Sequence, residues 1–206
     1  MGTIIPNQSL AMRPKEFEPD DIADAAMQVF WVRGYAATSV QDLVEGTGLS
    51  RSSLYSTFES KQGLYQQALR RYEAVTTSNV ELLAGPGPVK DLVRQLLMRI
   101  LDDELSDAQR RGCLVANATL ELAGRDDAVA ELVAHNFLRL QKALEKSIAR
   151  GQQRGEVAAG KPPRALARFI VNTMQGMRVL SKGSTPQNRR QCLLDVIDVA
   201  LGALSP

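Results

Sequence analysis

The chain reads as all-α. Apolar residues recur at helical spacing from residue 22 to the end, and start and stop residues bracket each run. No stretch alternates at period two for long enough to make a strand. Pro19, Asp20 and Asp21 open the first helix, since proline fits a first turn and acids favour the positive end of the helix dipole. Ile22, Ala26, Val29 and Phe30 give it one apolar face, and Gly34 stops it. Thr38, with Gln41 three residues on, predicts a capping box for a short second helix carrying Val40, Leu43 and Val44. The run Gly46-Thr47-Gly48 breaks that helix. Ser50 caps a third, containing Leu54 and Phe58. Ser60 caps a fourth, with Leu64, Ala68 and Tyr72 on one face.

The break AGPGP (Ala84 to Pro88) separates this unit from further helical patterns at roughly 88–105, 112–124, 127–151, 163–182 and 187–204. The expected organisation is a flexible arm over 1–17, a compact unit of short helices over 18–62, and a longer helical region over 63–206. No internal repeat is present.

Composition narrows the function. With 44% hydrophobic and 23% charged residues and a net charge of +2, the 206-residue chain is an ordinary globular protein whose overall charge selects no partner. Cys113 and Cys192 are far apart and His135 is the only histidine, so metal-ligand spacing is missing. GPGPVK lacks the spacing of a phosphate-binding loop, and no nucleophile–base–acid set is visible. These features argue against an enzyme and against a cofactor. The leader has neither a signal-peptide pattern nor a membrane-span pattern, so the expected location is the cytoplasm, with reduced thiols.

The stretch LSRSSLYSTFESK (Leu49 to Lys61) carries the functional signal. Leu49, Leu54 and Phe58 fall on one face; Ser50, Arg51, Ser52, Ser53, Ser56 and Thr57 face away. A short helix, a turn containing Gly48 and a second short helix make a helix-turn-helix, whose second helix enters the major groove. Short hydroxyls allow close approach to DNA, and arginine pairs bidentately with guanine. Residues 49–72 also hold Arg51, Lys61, Arg70 and Arg71 against Glu59 alone. The bland alternative is a serine-rich solvated helix. Arg13 and Lys15, in the arm, are candidates for following a minor groove.

Residues Asp21 to Leu69 closely resemble the DNA-binding domain of the tetracycline-repressor (TetR) family. The resemblance rests on Phe30, Gly34-Tyr35, Thr38-Ser39-Val40, Gly48-Leu49-Ser50-Arg51, Leu54-Tyr55, Phe58 and Lys61 with Leu64. It implies a homodimeric transcription regulator, usually a repressor, released from a palindromic operator by a small-molecule inducer. It also implies DNA contacts from Ser50, Arg51, Ser53, Tyr55, Ser56 and Thr57 on the recognition helix. Thr38 is implied at a helix N-terminus near a phosphate, and Lys61 as a phosphate contact. Ser52, Ser56 and Thr57 depart from the usual residues of the family, so the operator is expected to differ from those of relatives. A ligand-independent adaptor of the same fold is the alternative.

In the C-terminal half, GCLVANATLELAG (Gly112 to Gly124) is apolar almost all round and reads as buried. Buried Asn117 and Glu121 then need partners or a cavity. Both are pocket candidates, as are Cys113, Met98, Phe137, Met174 and Met177, against the plainer reading of each as core. Arg139, Lys142, Lys146, Arg150 and Arg154 form one stripe, expected to be a solvated basic face, with His135 exposed beside it. The last two helices carry wide apolar faces (Phe169, Ile170, Thr173, Met177 and Leu180; Leu193, Val196, Ile197, Ala200, Leu201 and Leu204), which the resemblance assigns to homodimerisation.

Overall fold

The computed structural model describes residues 18–206, which form nine α-helices and no strand. They are α1 (Pro19–Arg33), α2 (Val40–Thr47), α3 (Arg51–Phe58), α4 (Lys61–Ala84), α5 (Val89–Ser106), α6 (Leu114–Leu122), α7 (Asp127–Gln153), α8 (Pro163–Gly183) and α9 (Pro186–Gly202). The arm, with Arg13 and Lys15, lies outside the described residues.

Local chemistry sets most of the boundaries. Pro19 occupies the first turn of α1 beside Asp20 and Asp21, and Gly34 ends the helix at φ 77°. The capping box of α2 differs from the expectation. Its cap is Ser39, paired with Asp42, with both reciprocal bonds formed. Thr38 is instead buried, at 2% exposure, and its hydroxyl donates to the Gly34 carbonyl at 2.6 Å. Capping falls to whichever hydroxyl has the extended backbone at the helix start, and the tight turn after Gly34 gives that geometry to Ser39. Gly48 ends α2 in the left-handed region at φ 70°. Ser50 then caps α3 by accepting from the Ser53 N–H at 3.1 Å, and Ser60 caps α4 by accepting from Gly63.

Two hydrophobic clusters organise the packing. The first joins α1, α2, α3, the leading half of α4, α6 and the start of α7 around Phe30, Leu43, Leu54, Tyr65 and Tyr72. The second joins the end of α4 with α5, α7, α8 and α9 around Leu97, Ile100, Leu144, Ile170, Met177 and Ile197. Helices α4 and α7 pack against each other and run through both.

Two sequence expectations give way here. Helix α6 is not enclosed all round: Leu114, Val115 and Ala118 are buried, but Leu120 is 85% exposed. Apolar composition without a polar face does not fix burial when neighbours cover only one side. The basic stripe of α7 is not simply solvated either. Arg139 pairs with Glu73 at 3.1 Å and donates to Thr77, while Arg150 donates to the Leu83, Ala84 and Gly85 carbonyls. Arg150 thus satisfies carbonyls at the C-terminal end of α4, where a cation is favoured. His135 is exposed, 3.7 Å from Glu73.

Candidate nucleic-acid interface and effector cavity

Helix α3 presents its hydroxyl-rich face to solvent because Leu54 and Phe58, four residues apart, anchor the opposite face in the first cluster. Leu49, just ahead of it, is buried as well. Ser50, Arg51, Ser52, Tyr55, Ser56 and Thr57 are exposed, and Ser53 is half-buried. The Ser50 hydroxyl lies 2.9 Å from those of both Ser52 and Ser53. Arg51 has its guanidinium 5.9 Å from the Tyr55 ring centroid, so the longest side chains of the face lie together.

Lys61, at the first turn of α4, is half-buried over the Tyr35 ring at 4.4 Å. Burial lowers its ammonium pKa, against the opposing pull of Glu121 and Asp42. Tyr35, Phe30 and Tyr65 form an aromatic group behind it, with ring centroids 4.8–6.2 Å apart. Burial raises the Tyr65 phenol well above its ordinary pKa.

The pocket candidates separate into three places. Asn117 and Glu121 lie in an open groove of about 290 Å³ between α1 and α6, and both have protein partners. The Asn117 amide donates to the Arg111 carbonyl at 3.0 Å. Glu121 accepts from the Ala36 N–H at 3.0 Å, and its carboxylate lies so close to Gly34 that a side chain there would collide with it. Glu121 therefore holds the α1–α2 turn, and the neighbouring Gln62–Asp126 bond ties the start of α4 to the start of α7. Met177 is buried in the second cluster, and Met98 packs half-buried against it. Cys113, Phe137 and Met174 line an interior space with Tyr72, Val80, Leu140, Gln175 and Arg178.

That space adjoins a larger cavity of about 310 Å³, with Tyr72, Thr76, Asn79 and Arg178 common to both. Trp31, Val75, Asp103, Glu104, Ser106, Asp107, Arg111 and Gly112 complete the larger cavity. Its walls are polar and organised. Arg178 pairs with Glu104 at 3.1 Å, and Arg189, itself outside the lining, reaches the other carboxylate oxygen at 3.8 Å. Arg111 pairs with Asp107 at 3.3 Å and lies over the Trp31 ring at 4.4 Å. Burial raises the Asp103 pKa, partly offset by Arg178.

A family model described as bacterial regulatory proteins, tetR family, matches residues 22–68, and one described as tetracyclin repressor-like, C-terminal domain, matches residues 103–191. A cysteine-substituted form of CifR, a TetR family transcriptional regulator solved with 26-bp double-strand operator DNA, is 32% identical, with a TM-score of 0.80 over 93% of this chain and 99% of that one. The chain belongs to the TetR family. Other members similar to it include the uncharacterized regulator YezE of Bacillus subtilis (strain 168), 28% identical over 93% of this chain and 98% of its own length. The repressor ComR of Escherichia coli (strain K12) is 29% identical over 82% of each chain. Reduced NemR from E. coli shares the fold, with a TM-score of 0.81 at 16% identity over 91% of this chain and 97% of that one.

Within this TetR-family chain, sequence reasoning missed most of the cavity. Arg178, Glu104 and Arg189 lie on three different helices, and only tertiary contact shows that they form one network. The one available signal was Glu104, an acid at an apolar-face position next to Leu101 and Ile100. Its phase on α5 predicts burial, and a buried carboxylate requires a cation.

Proposed function

We propose that this chain is a homodimeric transcriptional repressor that reads a palindromic operator with α3 and is released by a small molecule entering the cavity between α1, α4, α5 and α8. The observation that carries the reading is the face of α3: Ser50, Arg51, Ser52, Tyr55, Ser56 and Thr57 stand outward on a helix fixed by Leu54 and Phe58. That is the arrangement a major groove requires. Ser53 completes the proposed DNA contacts, and Lys61 holds a phosphate. Thr38 contributes by shaping the turn ahead of α2, since its buried hydroxyl is already engaged. Domain limits of 18–62 and 63–206 fit this division of labour. A cytoplasmic regulator without enzymatic activity fits it too, and no described helix is long and apolar enough to cross a membrane.

Dimerisation through α8 and α9 is supported by the apolar residues they leave uncovered. Phe169, Val179 and Leu180 on α8 and Val199 on α9, the last at 71%, are exposed. Faces of this kind bury themselves against a second copy at low cost.

Effector control follows from where the cavity lies. Gly112 and Cys113 border the cavity complex at the head of α6, and Glu121 holds the α1–α2 turn at its tail. A ligand that displaces the head of α6 moves the tail with it, because a short helix shifts as a rigid rod. The two recognition helices of a dimer then lose the spacing of about 34–36 Å that successive major-groove faces impose.

The test is operator selection from genomic fragments, followed by mass measurement of the free protein and its DNA complex. A two-fold-symmetric site bound by a dimer is expected. Replacing Phe169 and Val199 together by Glu should give a monomer with weakened operator binding. A monomer of wild-type protein bound to a single half-site at full affinity would overturn the reading.

A further inference from the structure

The proposed operator and effector contacts leave the basic stripe of α7 unused. Together with the end of α4, that stripe bounds an open groove of about 450 Å³. Val80, Leu83, Ala84 and Ala143 make its apolar floor, and Arg139, Lys142, Lys146 and Arg150 flank it. We infer that this groove binds an amphiphilic anion, a single unbranched alkyl chain ending in a carboxylate. The chain lies on the floor and the carboxylate among the cations. The groove shares no lining residue with the larger cavity beside Trp31 and Arg178, so it is a second site.

Charge selects the ligand. Four cations line the groove and no acid does. Arg139 is matched by Glu73 at 3.1 Å, but Lys142 and Lys146, both exposed, have no carboxylate partner among the described residues. Arg150 donates to the Leu83, Ala84 and Gly85 carbonyls rather than to a carboxylate. The dipole of α4 therefore offsets only about half of its charge. The Arg150 Nε is buried with no acceptor among the described residues, a donor that the protein itself leaves unmet. Glu81 and Glu145, the acids next to the groove in sequence, are not part of its lining. An anion is what this set of groups lacks.

Shape decides the rest of the molecule. Water and salt screen exposed lysines, so they discriminate between ligands more than they hold one. Holding falls to the apolar floor. Between Arg139 and Arg150, α7 rises roughly 16 Å, and the groove follows it along the packed α4–α7 pair, which suits an extended chain better than a compact ring. Its volume is that of a small-molecule site. Four apolar side chains are too few for a stable protein interface, which needs about 800 Å² a side. A nucleic-acid backbone would match the cations but leave the floor in water. An alkyl carboxylate satisfies both.

The test is isothermal titration calorimetry of the full chain with hexanoate, octanoate and decanoate, each kept below its micelle concentration. Acetate and decyltrimethylammonium serve as comparisons, the first lacking the chain and the second reversing the charge. Affinity for the acids should rise about twofold to fourfold per added methylene, the upper value being that of full burial. Acetate should give no saturable heat, and decyltrimethylammonium should bind more weakly than decanoate. Lys142→Gln with Lys146→Gln changes two exposed side chains and so spares the fold. This double variant should bind decanoate about twofold to thirtyfold more weakly, the range for two exposed charge contacts. No saturable binding of any acid, no rise with chain length, equal binding of decyltrimethylammonium, or unchanged decanoate affinity in the double variant would sink the proposal. Two further results would also sink it by giving the groove another occupant. Lysine-dependent sedimentation with phosphatidylglycerol vesicles, by a chain that ignores free decanoate, would assign it to a membrane surface. Loss of the dimer mass in the double variant would assign it to a second copy.

Discussion

The hydrophobic cluster around α1–α3 encloses Phe30, Phe58, Tyr65 and Tyr72, with Trp31, Tyr35 and Phe137 packed at its margin. The cluster of α5, α8 and α9 has no aromatic residue and is filled by Leu, Ile, Val, Ala and Met. Helices α2 and α3 have 8 residues each and bury two side chains apiece; the large rings that fill the space beside them come mainly from the longer neighbours, Phe30 from α1 and Tyr65 and Tyr72 from α4, with Phe58 alone from α3. Helices α5 and α8, with 18 and 21 residues, interleave many smaller side chains along their length. The rigid small unit carries the proposed DNA face and the larger unit the uncovered dimer face. The polar cavity lies at the seam between them, where neither packing scheme can close. That seam is where a small molecule can alter one unit by entering beside the other.

The contrast would break most visibly in the aromatic cluster. Phe30→Ala should cost about 3–5 kcal/mol, because Phe30 is fully enclosed and contacts both Tyr35 and Tyr65. Hydrogen exchange should show lost protection over α1–α3 with α8 and α9 largely spared. Uniform loss across the chain would mean that the two clusters unfold as one. Leu97→Ala, the counterpart in the aliphatic cluster, should cost about 2–5 kcal/mol and loosen α5, α8 and α9 first.

On the DNA face, Arg51→Ala should cost about 1–3 kcal/mol of operator affinity and relax preference at one base position. Lys61→Ala should weaken all sequences alike and lower the salt slope by about 1. Identical slopes and unchanged preference in both variants would remove the assignment of Arg51 to a base and Lys61 to a phosphate.

Across the seam, Glu121→Ala should lower stability by about 1 kcal/mol, since it removes an exposed-side hydrogen bond to Ala36. Its larger consequence is on control: operator affinity without effector stays near wild type while the effector response is blunted. Equal responses in a titration of both proteins would show that α6 does not carry the signal. Gly48→Ala tests the turn between α2 and α3. A methyl group there meets nothing within 4 Å, so only the left-handed backbone opposes it, at about 1 kcal/mol. Thermal unfolding measures that difference, and an unchanged midpoint would mean the turn relaxes freely.

The family, the all-α class and nearly every helix boundary were legible in the chain because local chemistry decides them. Pro19, Gly34, Gly48, Ser50 and Ser60 act within a few residues of themselves. The outward face of α3 was legible for the same reason, since Leu54 and Phe58 set its phase. Where two adjacent residues offered the same chemistry, as Thr38 and Ser39 did, the sequence had no means of choosing. The turn after Gly34 chose Ser39. Asn117 and Glu121 were recognised as polar groups needing partners, but their partners proved to be protein rather than an open cavity, because α6 packs on one side only. The cavity itself was decided by tertiary structure alone. Glu104, Arg178 and Arg189 are separated by up to 85 positions, and charge balance among groups that distant depends on which helices meet, not on any spacing the chain displays.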